Sequence, residues 1–144
     1  MPVAHINVLK GHERAKLKQL IADVSESMAV VLQAPKDRFM VWVTEVDPEL
    51  WGIAGVPACE VLNATNHTAL ELPFVEMVLL RGRPIEQHHQ IIARVTDDIV
   101  RNLGSDRSRV RIHIADAAPE SWGIGGTPAS VLRAAEIKAR QAQK

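Results

Sequence analysis

Aromatic residues are nearly missing from this chain: three tryptophans, two phenylalanines and no tyrosine in 144 residues. The core must therefore be built from Val, Ile, Leu and Ala. Cysteine is almost absent as well. Cys59 stands alone, which excludes an internal disulfide and a paired-cysteine metal site. A reducing cytoplasm is the expected location. Charge of one sign is lacking too: 17 Lys and Arg balance 17 Asp and Glu, with no long run of either. That argues against nucleic acid or a polybasic membrane surface as partner. No apolar stretch approaches the roughly 18 residues of a membrane span. The N-terminus enters a strand-like pattern at once, which predicts no signal peptide.

What the chain does have is a duplication. Pro48 to Ala58 reads P-E-L-W-G-I-A-G-V-P-A, and Pro119 to Ala129 reads P-E-S-W-G-I-G-G-T-P-A. The shift is 71 residues and holds without a gap over most of the chain. It sets Pro2 on Pro73, Gly11 on Gly82, Gln19 on Gln90, Leu32 on Leu103 and Trp51 on Trp122. One supersecondary unit has been copied and fused. The copies differ at their first residue. Pro2 can become a free terminal amine, whereas Pro73 is locked in a peptide bond.

Each copy reads β-α-β. Val3 to Leu9 has the partial alternation of a strand. Leu17, Leu20, Ile21, Val24, Met28, Val31 and Leu32 make one apolar helical face, closed by Pro35. Phe39 to Val46 is a second strand, and Trp51 to Gly55 a Gly-bearing turn. The second copy predicts strands at Phe74–Leu80 and Val110–Ile114, with a helix between them ending at Gly104. Pro128 to Gln143 reads as a polar C-terminal helix. The expected organisation is a first repeat over 2–62, a linker over 63–72 and a second repeat over 73–144. Strands joined through a helix should be parallel, with a right-handed crossover. The fold class is then α+β: a four-stranded sheet with two helices on one face. Covering the other face calls for an oligomer, most simply a trimer.

Pro2, the strand, the Gly turn, the amphipathic helix, the second strand and W-G-I-G-G together resemble the tautomerase superfamily. The second half is similar to the 4-oxalocrotonate tautomerase family, through L-x-G-R at Leu80–Arg83, V-R-I-x-I at Val110–Ile114 and W-G-I-G-G at Trp122–Gly126. The resemblance covers nearly the whole chain, as two fused copies of a short subunit. It implies an isomerase that needs no cofactor and no metal, and a small carboxylic acid as substrate.

The candidate site follows from that resemblance and from the chemistry of the residues. Initiator methionine is normally removed before proline, which would leave Pro2 as a secondary amine. A free α-amine titrates near 8. Nearby cations and an apolar pocket both lower that value, and a neutral amine is a competent general base. The resemblance puts Arg83 near this amine as the carboxylate binder, with Arg81 assisting; a guanidinium grips a carboxylate with two prongs. It gives Arg111 the task of polarising the substrate carbonyl from a neighbouring subunit. Trp122 and Leu80 become pocket walls, while Trp51 serves packing. The first copy carries Met40 in place of Arg111 and His12 in place of Arg83. One half has kept the amine and the other the arginines, the pattern expected of one composite site per chain.

Two other readings stay open on the sequence. Asp37, in P-K-D-R-F, resembles the acid of the malonate semialdehyde decarboxylases in this superfamily, although the loop here is one residue shorter. A decarboxylase, hydratase or dehalogenase would use protonated Pro2. The glutamate that activates water in some haloacrylate dehalogenases is matched by Ile124, which weakens dehalogenation. A non-catalytic oligomeric scaffold is the third reading. His88 and His89 lack the four-residue spacing of a helical metal site, and Cys59 lacks an activating partner.

Overall fold

The structure is a computed structural model, and it describes residues 2–143. Its frame is a four-stranded sheet. β1 (Val3–Leu9) buries Ala4, Ile6 and Val8 at every second position. α1 (Arg14–Leu32) follows and lays Leu17, Leu20, Val24, Met28 and Val31 on that same face. β2 (Met40–Val46) then pairs parallel to β1 over seven rungs. The second copy repeats the motif: β5 (Phe74–Leu80), α3 (Ile85–Leu103) and β6 (Arg111–Ala117), again parallel. Ile91, Val95, Ile99 and Leu103 of α3 join the common core. Between the copies lie a tiny hairpin, β3 (Gly52–Ile53) and β4 (Val56–Pro57), and a short helix, α2 (His67–Leu70). A matching hairpin follows β6, as β7 (Gly123–Ile124) and β8 (Thr127–Pro128). Among the described residues no helix is long and apolar enough to cross a membrane.

The halves join through their first strands, giving the sheet order β2-β1-β5-β6. β1 and β5 run antiparallel, with His5 opposite Glu76. These two residues are 71 apart and so hold the same place in the two copies. The imidazole Nδ1 of His5 lies 3.3 Å from the Glu76 carboxylate. The helices repeat the relation, since the Ser27 hydroxyl donates a 2.6 Å hydrogen bond to buried Asp98, again 71 residues on. A pseudo-two-fold axis passes between both pairs. It carries each end of the sheet onto the other, and Pro2 onto Pro73.

The face of the sheet away from the helices is mixed, with Val3, Met40, Trp42, Phe74 and Val78 beside polar residues. His5 stacks on Trp42, and His5 Nε2 shares a hydrogen bond with Thr44. Asn7 reaches Glu76.

The ends of the elements depart from the sequence pattern in three places. β2 starts at Met40 and β6 at Arg111, because short 3-10 turns at Lys36–Arg38 and Arg107–Arg109 lead into them. β6 runs on to Ala117, past the point where apolar residues stop, since it lies at the sheet edge. The C-terminal segment is two helices, α4 (Ala129–Leu132) and α5 (Ala134–Ala142). Arg133 breaks them at φ −114° and ψ 22°, outside the helical range. That break lets α5 turn back toward Pro2.

Candidate active site

Pro2 is buried at the start of β1, where its carbonyl accepts the amide of Met40. It opens onto a cavity of about 490 Å³. The C-terminal end of β5 supplies Leu80, and the turn after it supplies Arg83. Gly82 in this turn has φ +107°, a conformation that side-chain-bearing residues rarely adopt. The glycine lets the chain swing Arg83 back over the cavity. Pro2 and the arginine thus come from different copies and meet because β1 and β5 are neighbours.

Three elements complete the walls. The end of α1 contributes Leu32, the 3-10 turn before β2 contributes Arg38, and α5 contributes Glu136 and Arg140. Arg133, at the break before α5, also lines the space. Four arginines therefore face one carboxylate, Glu136. Arg38 already takes both Glu136 oxygens at 3.1 Å. Arg83 is steadied by Gln87 at 3.2 Å and by the Leu32 carbonyl at 3.4 Å. Burial first, and the charge of Arg140 second, lower the Arg83 guanidinium to about 10, while Glu136 opposes the shift. It remains charged at neutral pH. The cavity is a positively charged, partly desolvated space beside the Pro2 ring, suited to an organic anion.

Other residues singled out in the sequence lie elsewhere in the chain. Arg81, Arg111, Trp122 and Asp37 are not among the described residues that line the cavity. Arg81 is exposed, and its amide bonds the Ala117 carbonyl. Arg111 is exposed on edge strand β6, donating to the Ser108 and Val110 carbonyls. Trp122 is half-buried at the hairpin, where its carbonyl accepts the Ala129 amide. Asp37 is exposed beside Arg38. Trp51 packs on a small core of Leu9, Ile53 and Ala58. His88 faces Asp116 at 3.6 Å.

Arg38, Arg133, Glu136 and Arg140 were not legible as site residues. The one available signal was the seven-residue spacing of Arg133 and Arg140, which would share one face only of an unbroken helix.

The pseudo-two-fold axis carries this cavity onto a second place, around Pro73, and that place is filled. Leu9 matches Leu80, His12 matches Arg83, and Arg109 matches Arg38. The fully buried carboxylate of Glu71 sits there. It accepts the Leu9 amide at 2.6 Å and lies 2.8 Å and 3.0 Å from His12 Nε2. Arg109 pins the segment through the Leu70 and Glu71 carbonyls. His67 closes over the top, edge-on to His12. It approaches so near Gly11 that a Cβ there would sit 3.2 Å from its Nε2. His12, His67 and Glu71 bring ligand atoms within 4.8 Å of one another, the one group among the described residues with donors spaced for a metal ion. Its geometry already satisfies the carboxylate internally. The connecting segment thus occupies the duplicate pocket with a carboxylate of its own.

Comparison with known proteins bears on the duplicated fold. Residues 2–58 and 73–131 each match the family model described as tautomerase enzyme. The chain is 38% identical over 61 residues to a 2-hydroxymuconate tautomerase of Comamonas testosteroni, a stretch covering 42% of this chain and 97% of that protein. A 2-hydroxymuconate tautomerase of Pseudomonas putida is 41% identical over the same coverage. Among solved structures, a native fused 4-OT superposes with a TM-score of 0.80 at 25% identity, covering 91% of this chain and 98% of that one. A second fused 4-OT, described as an asymmetric trimer, gives 0.78 at 22% identity over 90% and 98%. Two matches to one family, one in each half and together spanning most of the sequence, place the chain in the tautomerase family as a fused pair of repeats.

Proposed function

We propose that the chain is a cofactor-independent keto-enol tautomerase of small unsaturated 2-hydroxy acids, with the Pro2 amine as general base. The observation that carries this reading is the meeting of Pro2 and Arg83 at one cavity. With Met1 removed, the amine lies beside a guanidinium and under apolar walls such as Leu80 and Leu32. Both surroundings favour its neutral form. The amine takes the proton of the 2-hydroxyl group. The enol oxygen becomes a carbonyl, the double bonds shift along the acid, and the amine returns the proton to a carbon further along the chain. Negative charge develops on the substrate during this transfer, and Arg83 stabilises it where water is scarce.

The filled duplicate pocket supports the position of the substrate carboxylate. There, the Glu71 carboxylate lies between the Leu9 amide and His12. The matching place in the open pocket is between Leu80 and Arg83. An arginine there suits a free ligand, because its fork binds a carboxylate at two points.

The reading includes a trimer. β2 and β6 are sheet edges, and Met40, Leu50 and Val131 are large apolar side chains exposed on the protomer. Assembly would cover these groups and the free edges. In the trimer Arg111 and Trp122 serve a neighbouring subunit's cavity, and Arg81 adds positive potential at its mouth. The lone, exposed Cys59 suits a reducing cytoplasm.

The test is ketonisation of 2-hydroxymuconate and phenylenolpyruvate, followed in the ultraviolet, by protein whose intact mass shows Met1 removed. Turnover of either is expected. Inactivity toward both with the amine free would contradict the tautomerase reading and favour a decarboxylase that uses protonated Pro2.

A further inference from the structure

We infer that His12, His67 and Glu71 form a site for one divalent transition-metal ion of the zinc type, which clasps the segment between the two copies onto the first of them. The site lies in the filled counterpart of the cavity and shares no residue with the cavity beside Pro2. Four observations support it. First, the donors converge: one ring nitrogen from each histidine and one Glu71 oxygen lie within 4.8 Å of one another. Second, the backbone aims two of them. His67 opens α2 and Glu71 follows its last residue, with the Glu71 amide bonded to the His67 carbonyl at 3.0 Å, so both side chains leave one face of a helical turn. Third, the carboxylate is already oriented. The Leu9 amide holds Oε2 at 2.6 Å, and Oε1 is turned to His12 Nε2 at 2.8 Å. An outer partner of this kind fixes a ligand for its ion. Fourth, His67 Nε2 is buried and has no hydrogen-bond partner among the described residues. A buried polar atom left unpaired is costly. It sits against Gly11, whose missing Cβ makes room for the ring.

The donor set selects the ion. Two imidazoles and one carboxylate suit zinc and its neighbours, whereas calcium and magnesium ask for oxygen alone. The single charge of the carboxylate partly offsets that of a dication. Burial keeps competing water away, since the His12 side chain is 6% exposed and the Glu71 side chain 0%. Arg109 is spent on the Leu70 and Glu71 carbonyls rather than on the carboxylate. Ligand atoms on a tetrahedral zinc stand about 3.3 Å apart, at bonds of about 2.0–2.1 Å. His12 Nε2 and Glu71 Oε1, at 2.8 Å, need to part by about half an ångström, and the ion takes the place of the proton between them. The partly exposed His67 gives it a way in. The two pockets are thus opposite in sign. Arg83 gives the open cavity positive charge. His12 in the matching place, with His67 and Glu71 from the connecting segment, gives the filled one the donors for a cation.

The experiment is calorimetric titration of untagged, chelator-stripped protein with Zn²⁺, beside Co²⁺ as a spectroscopic probe. One Zn²⁺ per chain is expected at a Kd of about 1 µM or below. Co²⁺ should show the intense visible bands of a tetrahedral site. His67→Ala should weaken Zn²⁺ binding about 100-fold or more, since even the outer partners of a metal ligand are worth about 10- to 100-fold. Because His67 Nε2 holds no partner, this variant should keep a urea midpoint close to the wild type when metal is absent. His12→Gln keeps a donor toward Glu71 but loses the ring, and it should lose binding as well. His89→Ala, exposed on α3, should leave binding intact. Zn²⁺ should also raise the urea midpoint of the wild type, because it binds the folded chain, and should leave that of His67→Ala unmoved. Absence of saturable Zn²⁺ binding by the wild type would overturn the assignment. So would binding that survives in His67→Ala or in His12→Gln.

Discussion

Glu71→Ala is expected to lower stability by about 3–5 kcal/mol, the cost of leaving two buried hydrogen-bonding groups without their partner and a cavity in its place. The variant leaves the Leu9 amide and the His12 ring facing a void with no acceptor. It also loosens the segment that Arg109 pins from the other side. Glu71→Gln retains an acceptor for the Leu9 amide and a similar volume, so its loss should be smaller, about 1–2 kcal/mol. Urea denaturation at one fixed protein concentration measures both, the concentration being held because assembly contributes to apparent stability. A midpoint for Glu71→Ala within error of the wild type would mean that the duplicate pocket is not held shut by this carboxylate.

Pro2→Ala is the change with the largest expected effect on activity, a loss of about 10²- to 10⁴-fold in kcat/KM, the usual contribution of a positioned general base. Alanine still offers an amine after methionine removal. That amine is primary and turns freely about the Cα bond, while the proline ring is buried and fixes its nitrogen. The loss should fall on kcat more than on KM, since Arg83 and the cavity walls remain. Retention of activity within about threefold would remove Pro2 from the mechanism.

The fold was largely legible because its signal is repeated. A strand, an apolar helical face and a Trp-Gly turn recur at a constant shift, so each copy supports the reading of the other. Two things about the fold were not legible. Pairing of β1 with β5 is a contact between the copies, and no local pattern encodes its direction. The contacts of Glu76 with His5 and Asn7 follow from that pairing. The break at Arg133 also escaped, because residues 128–143 are polar throughout and carry no apolar period to show where one helix ends and another starts.

The cavity was legible in part for the same reason. Pro2, Leu80 and Arg83 lie within or just beyond the repeated strands, and the structure brings them to one cavity. Arg38 lies beside Asp37 in the turn before β2, and only the three-dimensional turn tells which of the two faces inward. Glu136 and Arg140 belong to a segment whose counterpart in the first copy is the linker. The repeat gives that segment no role. Glu71 has Ala142 at the matching position, so the duplication itself passes over the residue that fills the second pocket.

The central claim is that a neutral Pro2 amine does the chemistry. The most direct test is kcat/KM against pH for 2-hydroxymuconate, with protein confirmed by mass to begin at Pro2. A base must be deprotonated in the free enzyme, so activity should rise with pH through a single midpoint below the value near 8 of an ordinary α-amine. Activity that instead falls as pH rises through that range would make Pro2 an acid and contradict the account.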